Sequence, residues 1–328
     1  MKKQRSSGLT HVSELLPGLL PEEPKAIEAA HVKPVPQLPP DIITGELIRS
    51  EDIAYTHSLF VQCFMPVRHH KTNAQEWECG NRNAKLAITA GKLINPAVPG
   101  EFKRCVVPAG GMARLVVAYI NNFIYHKKTP VIDLGESLRK AMERMQIPIA
   151  GTNGKALTHE LENFAAADIT LGLWLPDGSA HQEQAKVARR LSFWIEKDPK
   201  QGTLWRPEMT VSDEYFQSVM HSAHVAPVYM PDYVKLRKKP RAQDVYTWLC
   251  YRLRTPLKRS PTVIPAAALH TVFGQDIKQR KHFWAEFKKA VAAAHECYPE
   301  ARVEFGNDCF KLYSSPARIP YRKLEYIG

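Results

Sequence analysis

Apolar positions recur along this chain in two periods, one near 3.6 and one near 2, and the two alternate in the same order twice. In GGMARLVVAYINNFIYHKK, Met112, Leu115, Val116, Tyr119, Ile120, Phe123 and Ile124 share one stripe and Lys127 and Lys128 close it, which predicts a buried helix of about 4 turns. A short strand, VIDL, follows. In LGESLRKAMERMQI, Leu134, Leu138, Met142 and Met145 lie on one face, and Pro148 and Gly151 end the helix. GKALTHELENFAAADI then places Leu157, Leu161, Phe164 and Ala165 inward and Lys155, Thr158, His159 and Glu162 outward. Two strands close the set, ITLGLWL and ARRLSFWIE, separated by the turn Pro176-Asp177-Gly178 and a polar loop. Ahead of these elements, DIAYTHSLFVQCFMP is an apolar run, and KLAITAGKL and FKRCVVPAG read as strands.

The C-terminal part repeats that order. RAQDVYTWLCYRLR and TVIPAAALHTVFG give two helices, the second short. After Gly274, at 100° per residue, Phe283, Phe287, Val291 and Ala294 fall on one side, with Lys278, Lys281, Ala285, Lys288, Lys289 and Ala292 on the other. One side is core and the other cationic. RVEF and CFKLY follow, joined by Gly306-Asn307-Asp308, which is hairpin chemistry. The pattern predicts an α+β chain of two winged-helix domains in tandem, each a helix-turn-helix followed by a β-hairpin. Residues 1–45 form a proline-rich arm expected to be flexible, with at most one short helix near Glu23 to His31. The first domain covers 46–211, and 212–232 is a connection whose helix is N-capped by Ser212. The second domain covers 233–328.

Charge sharpens the picture for the second domain. The chain carries 45 Lys+Arg against 33 Asp+Glu, a formal net charge of +12, and residues 233–328 hold 19 Lys+Arg against 8 Asp+Glu, or +11. An excess gathered in one third of the chain suits a phosphate-bearing partner, whereas general solubility would spread it. The LLPGLLPEEP stretch is too short and too interrupted to be a secretory segment, and no apolar run reaches the length of a membrane span. A soluble, intracellular protein without membrane attachment is expected. Cysteines 63, 79, 105, 250, 297 and 309 include no C-x-x-C pair, so reduced thiols are expected and zinc is not.

Candidate contacts follow from those faces. Lys278, Gln279, Arg280 and Lys281 open the recognition helix, with Arg280 placed for bidentate contact to guanine. Lys288, Lys289, Arg252, Arg254, Lys258 and Arg259 are candidates for phosphate, and Thr152, Asn153, Lys155 and Thr158 for DNA in the first domain. Gly151 and Gly154 would allow the bend before that helix.

Two other chemistries fit less well. GTNGK resembles a phosphate loop, but Ala156 stands where the metal-binding hydroxyl belongs and Pro148 interrupts the preceding strand. His69 and His70, if on a strand, point to opposite faces and cannot share a metal ion. Trp248, Trp284 and the tyrosines of YTWLCY fall on inner stripes and read as core. No catalytic residue, metal or cofactor is expected.

From about Tyr55 to Ser315 the residues resemble the plasmid-encoded RepA-type replication initiators. The resemblance is carried by YTHSLFVQCFMP, by LGESLRKAM and the Gly-rich turn after it, and by SDEYFQSV before a PVY segment. Its most specific part is DVYTWLCYRLR, the IP before a helix ending VFG, and RKHFWAEFKKAV with its YP ending. It implies a protein that binds repeated sites (iterons) in double-stranded plasmid origin DNA and promotes duplex opening. It also implies recruitment of host initiator and replicative helicase, copy-number control, a chain that can form a homodimer and become active as a monomer, and a bacterial cytoplasmic location associated with nucleoid or plasmid. A winged-helix transcriptional regulator without initiator activity is the competing class.

Overall fold

A computed structural model of the protein describes residues 42–43, 46–47, 52–57, 59–70, 74–80, 84–95, 98–174, 179–192, 207–220, 225–254, 257 and 260–319. The expected helix near Glu23 to His31, the Pro176-Asp177-Gly178 turn, Lys258 and Arg259 lie outside the described residues.

The first part runs β1 (Ile42–Ile43), β2 (Glu46–Leu47), β3 (Ile53–His57), α1 (Leu59–Gln62), β4 (Glu76–Gly80), β5 (Ala84–Thr89), β6 (Lys92–Ile94), β7 (Phe102–Arg104), α2 (Gly110–Lys127) and β8 (Val131–Asp133). It continues through α3 (Leu138–Arg144), α4 (Gly151–Ala166), β9 (Asp168–Trp174), β10 (Ala180–Lys186), β11 (Ala188–Leu191) and β12 (Glu208–Val211). Then come α5 (Asp213–Met220), β13 (Val225–Tyr229), α6 (Met230–Lys235) and a 3-10 turn, Leu236–Lys238. The chain goes on to α7 (Pro240–Arg252), β14 (Thr262–Pro265), α8 (Ala266–Phe273), α9 (Arg280–His295), β15 (Val303–Gly306) and β16 (Cys309–Leu312). The class is mixed α/β.

Helix α2 forms where the apolar stripe predicts it, because eighteen residues without proline can satisfy their backbone groups internally while burying Leu115, Val116, Ile120 and Ile124. Lys128 ends it in the left-handed region (φ 54), returning its N–H to the Ile124 carbonyl at 2.9 Å. Helix α3 starts at Ser137, whose hydroxyl accepts from the Lys140 N–H at 3.2 Å. The bend between α3 and α4 lies at 145–150, with Gln146 at φ 55, earlier than Gly151 and Gly154 suggested. GTNG is instead the first turn of α4. Gly154 serves packing there, since a Cβ on it would stand 3.1 Å from Leu138 Cδ2 and 3.6 Å from Met142 Sδ.

The strand partners differ from the expected hairpin. ITLGLW, as β9, pairs with β10, the AHQEQAK stretch taken from its polarity as a loop, and both join β5 and β4 in a sheet ordered β10-β9-β5-β4. ARRL, as β11, pairs with β12, which pairs with β8. Strand β10 sits at a sheet edge with Gln182, Glu183 and Gln184 exposed, so it shows no apolar alternation to read. The resulting three-stranded sheet, β11-β12-β8, has the same arrangement as β14-β16-β15 at the C-terminus. In each, the strand between the first two helices pairs with the last strand. The register Gly306 to Cys309 leaves Asn307-Asp308 as a two-residue turn with Asp308 at φ 55.

The segment 212–232 is more than a connection. It supplies β13, which pairs antiparallel with β3 from Val225–His57 to Tyr229–Ile53. The two halves also pack directly, with the Phe64 and Phe273 rings stacked at 4.7 Å and one hydrophobic cluster reaching from Ala54 to Leu312. Arg114 on α2 meets Asp244 on α7, Nε to Oδ1 at 2.6 Å and Nη2 to Oδ2 at 2.7 Å, both side chains buried. The remaining guanidinium hydrogens go to the Met65, Pro66 and Gly110 carbonyls. A buried charge pair held this fully carries little net cost, whereas either partner alone would be expensive.

Candidate nucleic-acid interface

Helix α9 divides as its sequence predicts. Phe283, Phe287, Ala290, Val291 and Ala294 are buried, while Lys281, His282, Ala285, Lys288, Lys289 and Ala292 are exposed. Methyl groups at Ala285 and Ala292 leave the backbone within reach of an approaching surface, with lysines on either side. Phe287 anchors the inner face against Phe273 (5.3 Å), Phe310 (5.7 Å) and Trp284 (5.8 Å), which ties the helix to the hairpin behind it. Trp248 packs edge-on against Phe273 at 5.7 Å, and Tyr246 and Tyr251 are buried, so these aromatics are core.

The turn before α9 is held from behind. Arg241 on α7 donates to the Phe273 carbonyl and to both carboxylate oxygens of Asp276, at 2.9 and 3.0 Å. His270 stacks on Phe283 at 4.8 Å and its Nε2 lies 2.6 Å from the Ile277 carbonyl oxygen. Gly274 sits where any Cβ would overlap His270 and Phe283. Arg241 is a positioning residue, buried at the start of α7, and nothing in the local sequence pattern marks it as one.

Lys278 and Gln279 precede α9, and Arg280 and Lys281 begin it. All four are exposed, and Gln279 makes no side-chain capping bond. Arg280 Nη1 lies 3.8 Å from Asp308 Oδ2 at the hairpin tip, with both side chains more than half exposed. So loose a surface pair is worth well under about 1 kcal/mol, so Arg280 can leave it readily. Lys289 pairs with Glu286 at 2.7 Å, and that hydrogen bond holds the Glu286 carboxyl below its usual range. Lys288 lies over the Phe305 ring, 5.4 Å from its centroid, on the side of the helix nearest the hairpin.

Arg252 and Arg254 are placed differently. Arg252 is half-buried, burial pushes its guanidinium below the usual range, and its Nε has no hydrogen-bond partner. Arg254 lies over the Tyr251 ring at 4.6 Å. In the first half, Thr152 and Lys155 are exposed in the opening turn of α4, with Asn153 and Thr158 half-buried. The Asn153 amide donates to the Pro148 carbonyl at 2.9 Å, which leaves its side-chain oxygen for other contacts. Because 151–155 are helical and the Gly154 N–H is spent on the Ala150 carbonyl, GTNGK does not form the open loop of a phosphate cradle.

Two expectations about α4 change. Glu162, read as outward, is buried beneath Lys103 from β7, which pairs with it. His69 and His70 are not in a strand, and His69 meets Glu160 and His159 on α4.

Among the described residues, no helix is long and apolar enough to cross a membrane. No curated protein matches the chain. Two crystal structures are similar to it, one of selenomethionine derivatives of domains 2 and 3 of RctB (TM-score 0.48) and one of RctB domains 2-3 (TM-score 0.45). Each covers 78% of this chain and 96% of its own at 9% identity, a likeness too loose to define a shared fold. Residues 107–260, a little under half of the chain, match the family model described as "Plasmid encoded RepA protein". LGESLRKAM, SDEYFQSV and DVYTWLCYRLR all lie inside that span and YTHSLFVQCFMP and RKHFWAEFKKAV outside it, so the chain resembles the plasmid-encoded RepA family over residues 107–260.

Proposed function

We propose that the chain is a plasmid replication initiator that binds repeated sites in double-stranded origin DNA through two winged-helix units, the C-terminal one dominant. The observation that carries this reading is the exposed cationic face of α9, seated on an aromatic core and flanked by a short hairpin. A helix with that face fits a major groove, while the hairpin and the lysines beside it reach phosphates. Lys278, Gln279, Arg280 and Lys281 read base edges in this account, and Lys288, Lys289, Arg252, Arg254, Lys258 and Arg259 set register on the backbone. Thr152, Asn153, Lys155 and Thr158 on α4 form the lesser contact. The match to the plasmid-encoded RepA family supports the initiator role, with duplex opening and the recruitment of host initiator and helicase as its consequences. The shared core between the halves supports a fixed spacing of α4 and α9, and two adjacent major grooves on one side of a duplex span about 20 bp.

Footprinting on the plasmid region flanking the gene tests this. Protected direct repeats of about 20 bp are expected. Protection confined to an inverted repeat over the promoter, with no effect on copy number, would make the protein a regulator instead.

A further inference from the structure

On α4, the consecutive residues His159 and Glu160 meet His69, which lies 91 positions before Glu160 in the chain. His69 Nε2 lies 2.5 Å from Glu160 Oε1, and His159 Nδ1 lies 3.0 Å from the same oxygen. The three ligand atoms are within 4.8 Å of one another. We propose that His69, His159 and Glu160 form a binding site for a divalent transition metal of the zinc class. This inference stands apart from the DNA-binding reading.

The hydrogen bonds around the cluster turn both imidazoles toward one carboxylate oxygen. Glu160 Oε2 is already taken by the Ala109 N–H at 3.0 Å, so both imidazoles crowd onto Oε1. The Asn163 amide is oriented by its oxygen, which accepts from the Val106 N–H at 3.1 Å, and this turns its nitrogen toward His159 Nδ1 at 3.2 Å. His159 Nδ1 therefore faces a donor on one side and a carboxylate on the other, and a single ring nitrogen cannot accept from one and donate to the other at once. A metal ion between the three groups would take the Nδ1 lone pair and Oε1 together in place of their direct contact, with the Asn163 amide turning to another acceptor.

The donor set fits the class. Two imidazole nitrogens and one carboxylate oxygen suit zinc at about 2.0 to 2.2 Å, with water completing a tetrahedron, whereas calcium and magnesium call for oxygens throughout. Access and support are both present. Glu160 is almost fully buried at 5% side-chain exposure, while His69 at 35% and His159 at 48% leave the outer side open. The Ala109 N–H fixes the carboxylate as outer-sphere partners do in metal sites. Lys103, the neighbouring cation, is neutralised by Glu162. A bound ion would clamp the irregular segment at 66–70 onto α4.

Zinc titration by calorimetry on chelator-treated full-length protein, with visible absorption of the cobalt(II) form as a second readout, tests the site. One ion per chain is expected, with tetrahedral cobalt bands and a zinc-dependent rise in Tm. His69→Ala and His159→Ala, both at half-exposed positions, should each weaken binding at least about tenfold and abolish the Tm shift while keeping the circular dichroism spectrum. No zinc binding by the wild type, or equal binding by wild type and both variants, overturns the proposal.

Discussion

Arg114→Leu should destabilise the protein by about 3 to 5 kcal/mol, since it strands the Asp244 carboxylate in a buried position with its two guanidinium hydrogen bonds removed. Burial raises the pKa of Asp244 even against the guanidinium, so the abandoned carboxyl would take up a proton more readily and recover part of the loss. Three carbonyls, Met65, Pro66 and Gly110, lose their donor in the same step. Urea denaturation followed by circular dichroism measures the effect, which appears as a lower midpoint at unchanged slope. The double variant Arg114→Met, Asp244→Leu should regain part of the stability, because an apolar pair removes both the charges and their desolvation while the Met65, Pro66 and Gly110 carbonyls stay without that donor. If Arg114→Leu alone costs less than about 1 kcal/mol, the pair does not hold the two halves together.

Arg280→Ala should weaken binding to an origin site by about 1 to 3 kcal/mol while leaving binding to unrelated DNA nearly unchanged. The side chain is exposed at the start of α9, makes one loose contact with Asp308, and loses nothing structural when truncated. Lys289→Ala is the control. Its charge sits on the outer face of α9, so it should weaken every sequence alike and reduce the salt slope by about one unit. Mobility shifts on matched specific and random duplexes separate the two. Equal losses on both for Arg280→Ala would remove Arg280 from base reading and leave it as a phosphate contact.

How much of this was legible depends on how far apart in sequence the partners lie. The faces of α9 can be read directly, because sixteen helical residues alternate lysine and alanine with phenylalanine and valine in one period. The hairpin tip is equally local, since Gly306-Asn307-Asp308 carries its own turn chemistry. Strand β10 was hidden by its polarity, and the pairing of β13 with β3 joins segments with no shared local pattern. Arg114 and Asp244 are 130 positions apart, and His69 and Glu160 are 91 apart. Periodicity shows which face of a helix is buried and is silent on what buries it. Glu162 illustrates the limit, being on a polar-looking face that Lys103 covers.

The most direct test is a mobility-shift titration of the full-length protein against plasmid-origin duplex over a range of salt. The account predicts tight binding at low ionic strength, a log-log salt slope of about −0.9 for each phosphate contacted, and origin DNA preferred to random duplex by about a thousandfold or more. Failure to shift origin fragments even at low ionic strength would contradict it.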